Sequence, residues 1–287
     1  MSQINFVSPI SRVGALEPRT LLQAALGEIH VWRLEFSSLG SARAGWQVMS
    51  DEERARAERF RFLPDRERFC QSRFLLRVVL GEYLGLDPSK VPMIVDEHGK
   101  PSVDEMASPR GLQFNLTHSR SMALLALAIG QSIGIDVEDI GAVENTDVTT
   151  LAEGICTKHE REAIAKLEQE GRTRAFLRCW TRKEALLKAV GVGLLGRLDG
   201  FEVPLDCSKR WDIQWRPDSW SKESTYQMAD LSFGNHLAAV AAPVISNSIQ
   251  IFDLHGQETD PGSIAERPTT ISRQRDDESN SGEAPSP

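Results

Sequence analysis

The chain has 287 residues, 40% hydrophobic and 26% charged, a balance that allows one large or two medium soluble domains with a real core. The formal net charge of -8 is uneven: from Gly256 onward seven acids face three arginines, so only about half of that charge falls on the body. No basic surface dominates, and a nucleic-acid partner is not expected. No apolar run is long enough to span a bilayer, and the amino terminus lacks a basic region followed by an apolar core, which predicts a cytoplasmic protein with no membrane partner. Cys70, Cys156, Cys179 and Cys207 show no C-x-x-C spacing, which argues against a zinc site or a disulfide framework.

In chain order, Ile29 to Phe36 alternates like a strand entering a sheet. Ser50 followed by Glu53 has the form of a capping box and predicts a helix running on through Arg54, Arg56, Arg59 and Arg61. Asp65 to Leu86 carries Phe69, Leu76, Val79, Leu80, Tyr83 and Leu84 at helical spacing, with Gly85 and Pro88 as its stop. Val91 to Val95 reads as a short strand, followed by a polar turn through Gly99, Lys100 and Pro101. The apolar run from Met122 to Ile140 contains strands. In it, Asp136 and Glu138 stand two residues apart, so both carboxylates leave the same face. Thr157 to Gly171, with the pair Thr157 and Glu160, and Arg174 to Ala189 are expected to be helices, the latter stopped at Gly191. Short alternating segments around Trp211 to Trp215, Gln227 to Leu231 and His236 to Val244 predict antiparallel strands. Beyond Leu254 large apolar residues nearly vanish, which predicts a disordered tail. A strand, a pair of helices and more strands recur in each half, a coarse internal repeat.

Two carboxylates on one strand face repel, so a hard cation, a basic partner or water must offset them. On the Arg174 to Ala189 helix, Trp180, Glu184 and Lys188 recur at four-residue steps and share a face. A surface salt bridge is the plain reading of Glu184 and Lys188, but the neighbouring tryptophan implies partial burial. Set against Asp136 and Glu138, the stripe makes a site for a phosphate bound through Mg2+. Thr117, His118 and Ser119 add two hydroxyls and an imidazole at a strand end, groups that donate to phosphate oxygens.

Gly99-Lys100-Pro101, Phe114 to Ser119, Gly134 to Glu138, and Phe176 through Trp180-Thr181-Arg182-Lys183-Glu184-Ala185-Leu186-Leu187-Lys188, in this order, closely resemble the 4'-phosphopantetheinyl transferase superfamily, in its larger, surfactin-synthetase-activating class. The resemblance covers roughly residues 29 to 245. It implies an α+β fold of two similar α/β halves related by pseudo-twofold symmetry, divided as residues 1–113, 114–254 and an acidic tail 255–287. It implies an enzyme of the holo-[acyl-carrier-protein] synthase type, working as a monomer, that moves the phosphopantetheine arm of coenzyme A onto a serine of an apo acyl or peptidyl carrier protein with Mg2+, releasing adenosine 3',5'-bisphosphate. By the same resemblance Asp136, Glu138 and Glu184 are the metal-binding acids, and Lys188 contacts the pyrophosphate. Thr117 and His118 bind coenzyme A phosphates, Gly99, Lys100 and Pro101 lie against the adenine, and Arg56 and Arg68 lie near the 3'-phosphate. Glu53 departs from the pattern, standing where some members have a basic residue, and Arg54 is the candidate substitute. A carrier-binding module without catalysis and a Mg2+-dependent phosphohydrolase are the competing readings; neither accounts for all of these motifs in this order.

Overall fold

The computed structural model describes residues 27–38, 43–95, 101–108, 111–143, 146–191, 197–215, 224–246, 248–254 and 269–272. The first half runs from β1 (Ile29–Glu35) through the helices α1 (Arg43–Val48), α2 (Asp51–Glu58) and α3 (Leu63–Leu84). The strands β2 (Met93–Val95), β3 (Pro101–Val103), β4 (Leu112–His118) and β5 (Met122–Ile129) follow. The second half repeats that order with β6 (Gly134–Asp139), helices α4 (Val148–Leu151), α5 (Lys158–Ala165) and α6 (Gln169–Val190), then β7 (Arg210–Trp215), β8 (Ser224–Asp230) and β9 (His236–Ala242). Two further strands, β10 (Ser248–Asp253) and β11 (Thr269–Ser272), return to the first half.

The two larger sheets have the orders β11-β10-β1-β5-β4 and β6-β9-β8-β7, and β2 pairs with β3 in a separate two-stranded sheet. In each half the opening strand pairs antiparallel with the closing one, β1 with β5 and β6 with β9. The sheets pack on each other through one set of alternate residues and on a 22-residue helix through the other. Thus Met122, Leu124, Ala126 and Ala128 of β5 meet Ile135, Val137, Ala238 and Val240 in the central layer. Ala123, Leu125 and Leu127 lie with Leu75, Leu76, Val79 and Leu80 of α3. The mirror arrangement places Leu237, Ala239 and Ala241 of β9 against Leu186 and Leu187 of α6. A strand covered on both sides reads as a continuous apolar run, as β5 does.

Both predicted capping boxes form, Ser50 with Glu53 at α2 and Thr157 with Glu160 at α5. Each capping glutamate does a second job. Glu53 Oε2 receives Arg77 Nε of α3 at 2.6 Å, and Glu160 Oε2 receives Lys183 Nζ of α6 at 2.6 Å. Arg77 and Lys183 stand at the same place in their helices, fourteen residues on from the first. Arg77 Nη1 also donates to the carbonyls of Pro88, Ser89 and Val91, and Lys183 Nζ to those of Ile155 and Leu198. The internal repeat therefore extends from the order of elements to individual ion pairs.

Several expectations need correction. The predicted helix from Thr157 to Gly171 is broken: α5 ends at Ala165 and α6 starts at Gln169. A division at 113/114 falls inside β4, and both β4 and β5 belong to the first sheet. β10 was not foreseen; it pairs parallel with β1. Most of the acidic tail lies outside the described residues, but Thr269–Ser272 within it pairs with β10. Among the described residues no helix is long and apolar enough to cross a membrane.

Lys183 and Glu160 are both buried, so removing one partner strands the other charge in the core. Lys183→Met is expected to destabilise the fold by about 3 kcal/mol or more. Glu160→Gln together with Lys183→Met should cost clearly less than the sum of the two single changes. Urea unfolding of the three variants measures this, and strict additivity would contradict the buried pair.

Candidate active site

The site is built where α6 crosses β6. In β6, Ile135 and Val137 point into the layer between the sheets, which turns Gly134, Asp136 and Glu138 toward α6. At Gly134 the helix comes so close that a Cβ would lie 2.1 Å from the Ala185 carbonyl oxygen and 2.4 Å from the Ala189 nitrogen. No residue but glycine permits that approach. It delivers the predicted stripe of α6 to the acids one turn at a time.

Lys188 Nζ donates to Asp136 Oδ1 at 2.6 Å and to the Ile135 carbonyl at 3.3 Å. Trp180 Nε1 donates to Glu138 Oε1 at 3.1 Å. Glu184 lies between these contacts along the helix. The edge strand β4 is tied to β6 by two side chains: Asn115 Oδ1 accepts from Ile135 N at 2.9 Å, and the Thr117 hydroxyl donates to Asp136 Oδ1 at 3.1 Å.

The electrostatics follow from crowding acids in a half-dry site. Burial, then the charge of Asp136, pushes the Glu138 carboxyl up to about 7, against the opposing hydrogen bond from Trp180. Burial also raises Glu184, with Asp136 adding to the rise and Lys188 opposing it. Two oxygens are left over: Asp136 Oδ2 and Glu184 Oε1 are buried without a hydrogen-bond partner. Hard anionic oxygens in that state fit a hard divalent cation. The three carboxylates are not drawn into one tight cluster here. Among the described residues only Cys156, Glu160 and Cys179 bring potential ligand atoms within 4.8 Å of one another, and that glutamate is already taken by Lys183.

His118 is exposed at the end of β4. Partial desolvation, then the nearby charges of Arg68 and Lys188, hold its pKa below the ordinary value, so at neutral pH the ring is uncharged. Arg68 itself is bound to Asp65, and the Arg56 guanidinium lies over the Phe69 ring at 5.3 Å.

The structure thus brings together Asp136, Glu138, Glu184, Lys188, Thr117 and His118, and the charge of Arg68 acts on His118. Gly99 and Lys100 lie outside the described residues, and Pro101 opens β3. Thr117 faces inward to Asp136 rather than outward; the hydroxyl without a partner is the buried Ser119 Oγ. Glu53, out of pattern in the basic sub-site, binds Arg77 and lies 3.6 Å from Arg73. Arg54 is engaged with the Trp46 carbonyl and with Asp51. The roles of Trp180 and Asn115 were missed, although the four-residue step from Trp180 to Glu184 carried the signal for the first.

Two family models match the sequence: one described as "4'-phosphopantetheinyl transferase, N-terminal" over residues 39–129, the other as "4'-phosphopantetheinyl transferase superfamily" over residues 132–241. The 4'-phosphopantetheinyl transferase HetI of Nostoc sp. is 36% identical over 195 residues, which cover 68% of this chain and 81% of that protein. The 4'-phosphopantetheinyl transferase psf-1 of Bacillus pumilus is 29% identical over 189 residues, covering 63% and 77%. A 4'-phosphopantetheinyl transferase of Bacillus subtilis is 28% identical over 160 residues, covering 55% and 67%. The order of motifs, the doubled α+β fold and these likenesses together establish that the chain belongs to the 4'-phosphopantetheinyl transferase superfamily, in its larger class.

Proposed function

We propose that the protein transfers the phosphopantetheine arm of coenzyme A to a serine hydroxyl of an apo acyl or peptidyl carrier protein, with Mg2+ held by Asp136, Glu138 and Glu184. The observation that carries this reading is the pair of buried, unpartnered oxygens, Asp136 Oδ2 and Glu184 Oε1, facing an all-carboxylate site next to an ammonium. Mg2+ bound there supplies charge neutralisation to the pyrophosphate.

The remaining chemistry belongs to the chain itself. Lys188, held at Asp136, stabilises charge that builds on the leaving phosphate. His118 and the Ser119 hydroxyl donate hydrogen bonds to phosphate oxygens. Glu184, whose carboxyl is raised by burial, accepts the proton of the attacking serine more readily than an ordinary carboxylate. Trp180 holds Glu138 in place, and Thr117 and Asn115 hold β4 against β6 so that the two halves present their groups to the same substrate. Both halves lie in one chain, which supports action as a monomer.

Incubation with coenzyme A, Mg2+ and an apo carrier protein, followed by weighing the carrier, tests the reaction. The wild-type protein should add the mass of the phosphopantetheine arm. Asp136→Ala and Glu184→Gln should lower turnover at least a hundredfold, and near-normal turnover in either would refute the assignment. Free phosphate with an unmodified carrier would favour a hydrolase.

The sequence also predicts that removing the Asp136 charge relieves repulsion. Asp136, however, is paired with Lys188, and the raised carboxyl is that of Glu138. Its folded pKa of about 7 exceeds the ordinary 4.5, so the folded state binds the proton more tightly and loses stability as pH rises through that window. Glu138→Gln, which carries no charge, should therefore melt several degrees higher than wild type at pH 8 in chelator, and nearly equal to it at pH 4.5. A melting difference independent of pH would show that Glu138 is not the strained group. For the same reason Mg2+ affinity should weaken in the wild-type protein as pH falls below about 7, where protons compete for Glu138.

A further inference from the structure

The turn from β4 to β5 follows directly on His118 and holds Ser119, and an imidazole of the second half reaches it. β6 and β9 pair so that Asp139 stands opposite His236. By the two-residue period of a strand, both lie on the face that Val137, Ala238 and Val240 turn toward the first sheet. They stand at the end of that layer, where apolar contacts give way to polar ones. There the Ser121 hydroxyl and His236 Nε2 share a hydrogen bond of 2.8 Å, and Asp139 Oδ2 lies 4.0 Å from the same nitrogen. A carboxylate beside Nε2 favours the tautomer with its proton on that atom, so the ring donates to Ser121 Oγ.

His236 is held more firmly than a surface histidine. It closes a two-residue hairpin turn in which Phe233 and His236 exchange backbone hydrogen bonds of 3.0 and 2.9 Å, with Gly234 at a φ of 55°. The Phe233 ring stacks on the imidazole with centroids 5.6 Å apart. From β1 the Arg33 guanidinium, itself bound to Asp253, lies 5.0 Å from the centre of that phenyl ring. The Asn235 carbonyl accepts from Ile140 N at 3.0 Å, which fastens the hairpin turn to the chain just past Glu138 and Asp139. Ser121, in contrast, is exposed on a short turn. The imidazole is therefore the fixed partner, and the turn is the part it steadies.

We propose that His236 is a positioning residue for coenzyme A: through Ser121 it fixes the β4–β5 turn, so that His118 and the Ser119 hydroxyl meet the phosphates in register with the acids of β6. The path is short at both ends. Ser119 lies two residues before Ser121, and Glu138 directly precedes Asp139. The inference rests on the transferase reading above and adds to it the group that keeps the phosphate donors of one half aligned with the metal-binding acids of the other.

Four variants test this: Ser121→Ala, His236→Ala, His236→Gln, and Ser121→Ala combined with His236→Ala. Loss of the one hydrogen bond should raise both the Kd and the KM for coenzyme A about fivefold in Ser121→Ala, and at least as much in His236→Ala. The Kd is read by calorimetry with coenzyme A and Mg2+ and no carrier. With an apo carrier protein that the wild-type protein modifies, kcat and the KM for the carrier should stay within about twofold, the pattern of an interaction made equally in the ground and transition states. The double variant should bind coenzyme A no worse than His236→Ala, since both changes break the same bond. His236→Gln, whose amide can still bond the Ser121 hydroxyl, should return the affinity to within about twofold of wild type. Ser121→Ala should melt like the wild-type protein, which keeps the test decisive if His236→Ala loses stability. An unchanged coenzyme A affinity in Ser121→Ala overturns the proposal, as does strict additivity in the double variant or a glutamine variant as weak as the alanine one. A rise confined to the KM for the carrier also overturns it and gives the turn to the acceptor protein. Failure of the wild-type protein to bind coenzyme A and to modify any apo carrier would instead overturn the transferase reading.

Discussion

The close approach of α6 to β6 at Gly134 is the constraint on which the site depends. A Cβ there would overlap the Ala185 carbonyl, so any other residue forces the helix outward and takes Glu184 and Lys188 away from Asp136. Helix and strand could pack comfortably at a greater distance with larger side chains between them, as α3 and β1 do in the other half. The short distance is instead used to bring polar groups from two elements into direct contact. The 2.6 Å bond from Lys188 to Asp136 and the 3.1 Å bond from Trp180 to Glu138 both follow from it.

The first half shows what the same framework does without that approach. The positions of β1 facing α3 are His30, Trp32 and Leu34, where β6 has Gly134, Asp136 and Glu138. Trp32 Nε1 donates to the Tyr83 hydroxyl at 3.0 Å, and that hydroxyl lies 2.7 Å from His30 Nδ1, so the interface is closed by aromatic packing and a short neutral hydrogen-bond chain. Burial keeps His30 toward its neutral form and Tyr83 protonated. Both halves nonetheless keep the capping glutamate and its basic partner, Glu53 with Arg77 and Glu160 with Lys183. The duplicated ion pairs belong to the framework, because each clamps the start of a short helix and a following loop to the long helix. The acids belong to one half alone, which explains why Lys183, beside Glu184 in sequence, turns away from the site and into the core.

Much of this was legible from sequence because it rests on local rules. The capping boxes, the αL glycine at 85 that ends α3, and the four-residue stripe on α6 are set by residues near one another in the chain. The shared face of Asp136 and Glu138 needed only the two-residue period of a strand. What was not legible depends on partners distant in sequence. Whether Thr117 points to a phosphate or to Asp136 is decided by how β4 abuts β6, and no local pattern carries that. The parallel pairing of β10 with β1 joins residues more than two hundred apart, and its six residues, Ser248–Asp253, alternate too briefly to stand out. The continuous helical pattern from Thr157 to Gly171 hid a break because α5 and α6 are both amphipathic, and only packing sets the angle between them.

The site is left electrostatically unfinished, and the direction of the deficit is informative. Three carboxylates share a partly buried volume with one ammonium, and that ammonium is committed to Asp136. Glu138 and Glu184 respond by holding protons more tightly than an exposed carboxylate does. A fold selected only for stability would resolve such crowding with amides or apolar groups, since unpaired buried charge is costly. Nearby, the same chain shows that it can do so: Glu160 has its oxygens satisfied by Lys183, Val203 N and Thr157 N. Unsatisfied oxygens at Asp136 and Glu184, set beside a fully satisfied glutamate on an adjacent helix, mark the first as a place prepared for positive charge that arrives from outside the chain. The neutral state of His118 fits the same scheme, because a ring already protonated would compete with the incoming cation instead of sharing the substrate with it.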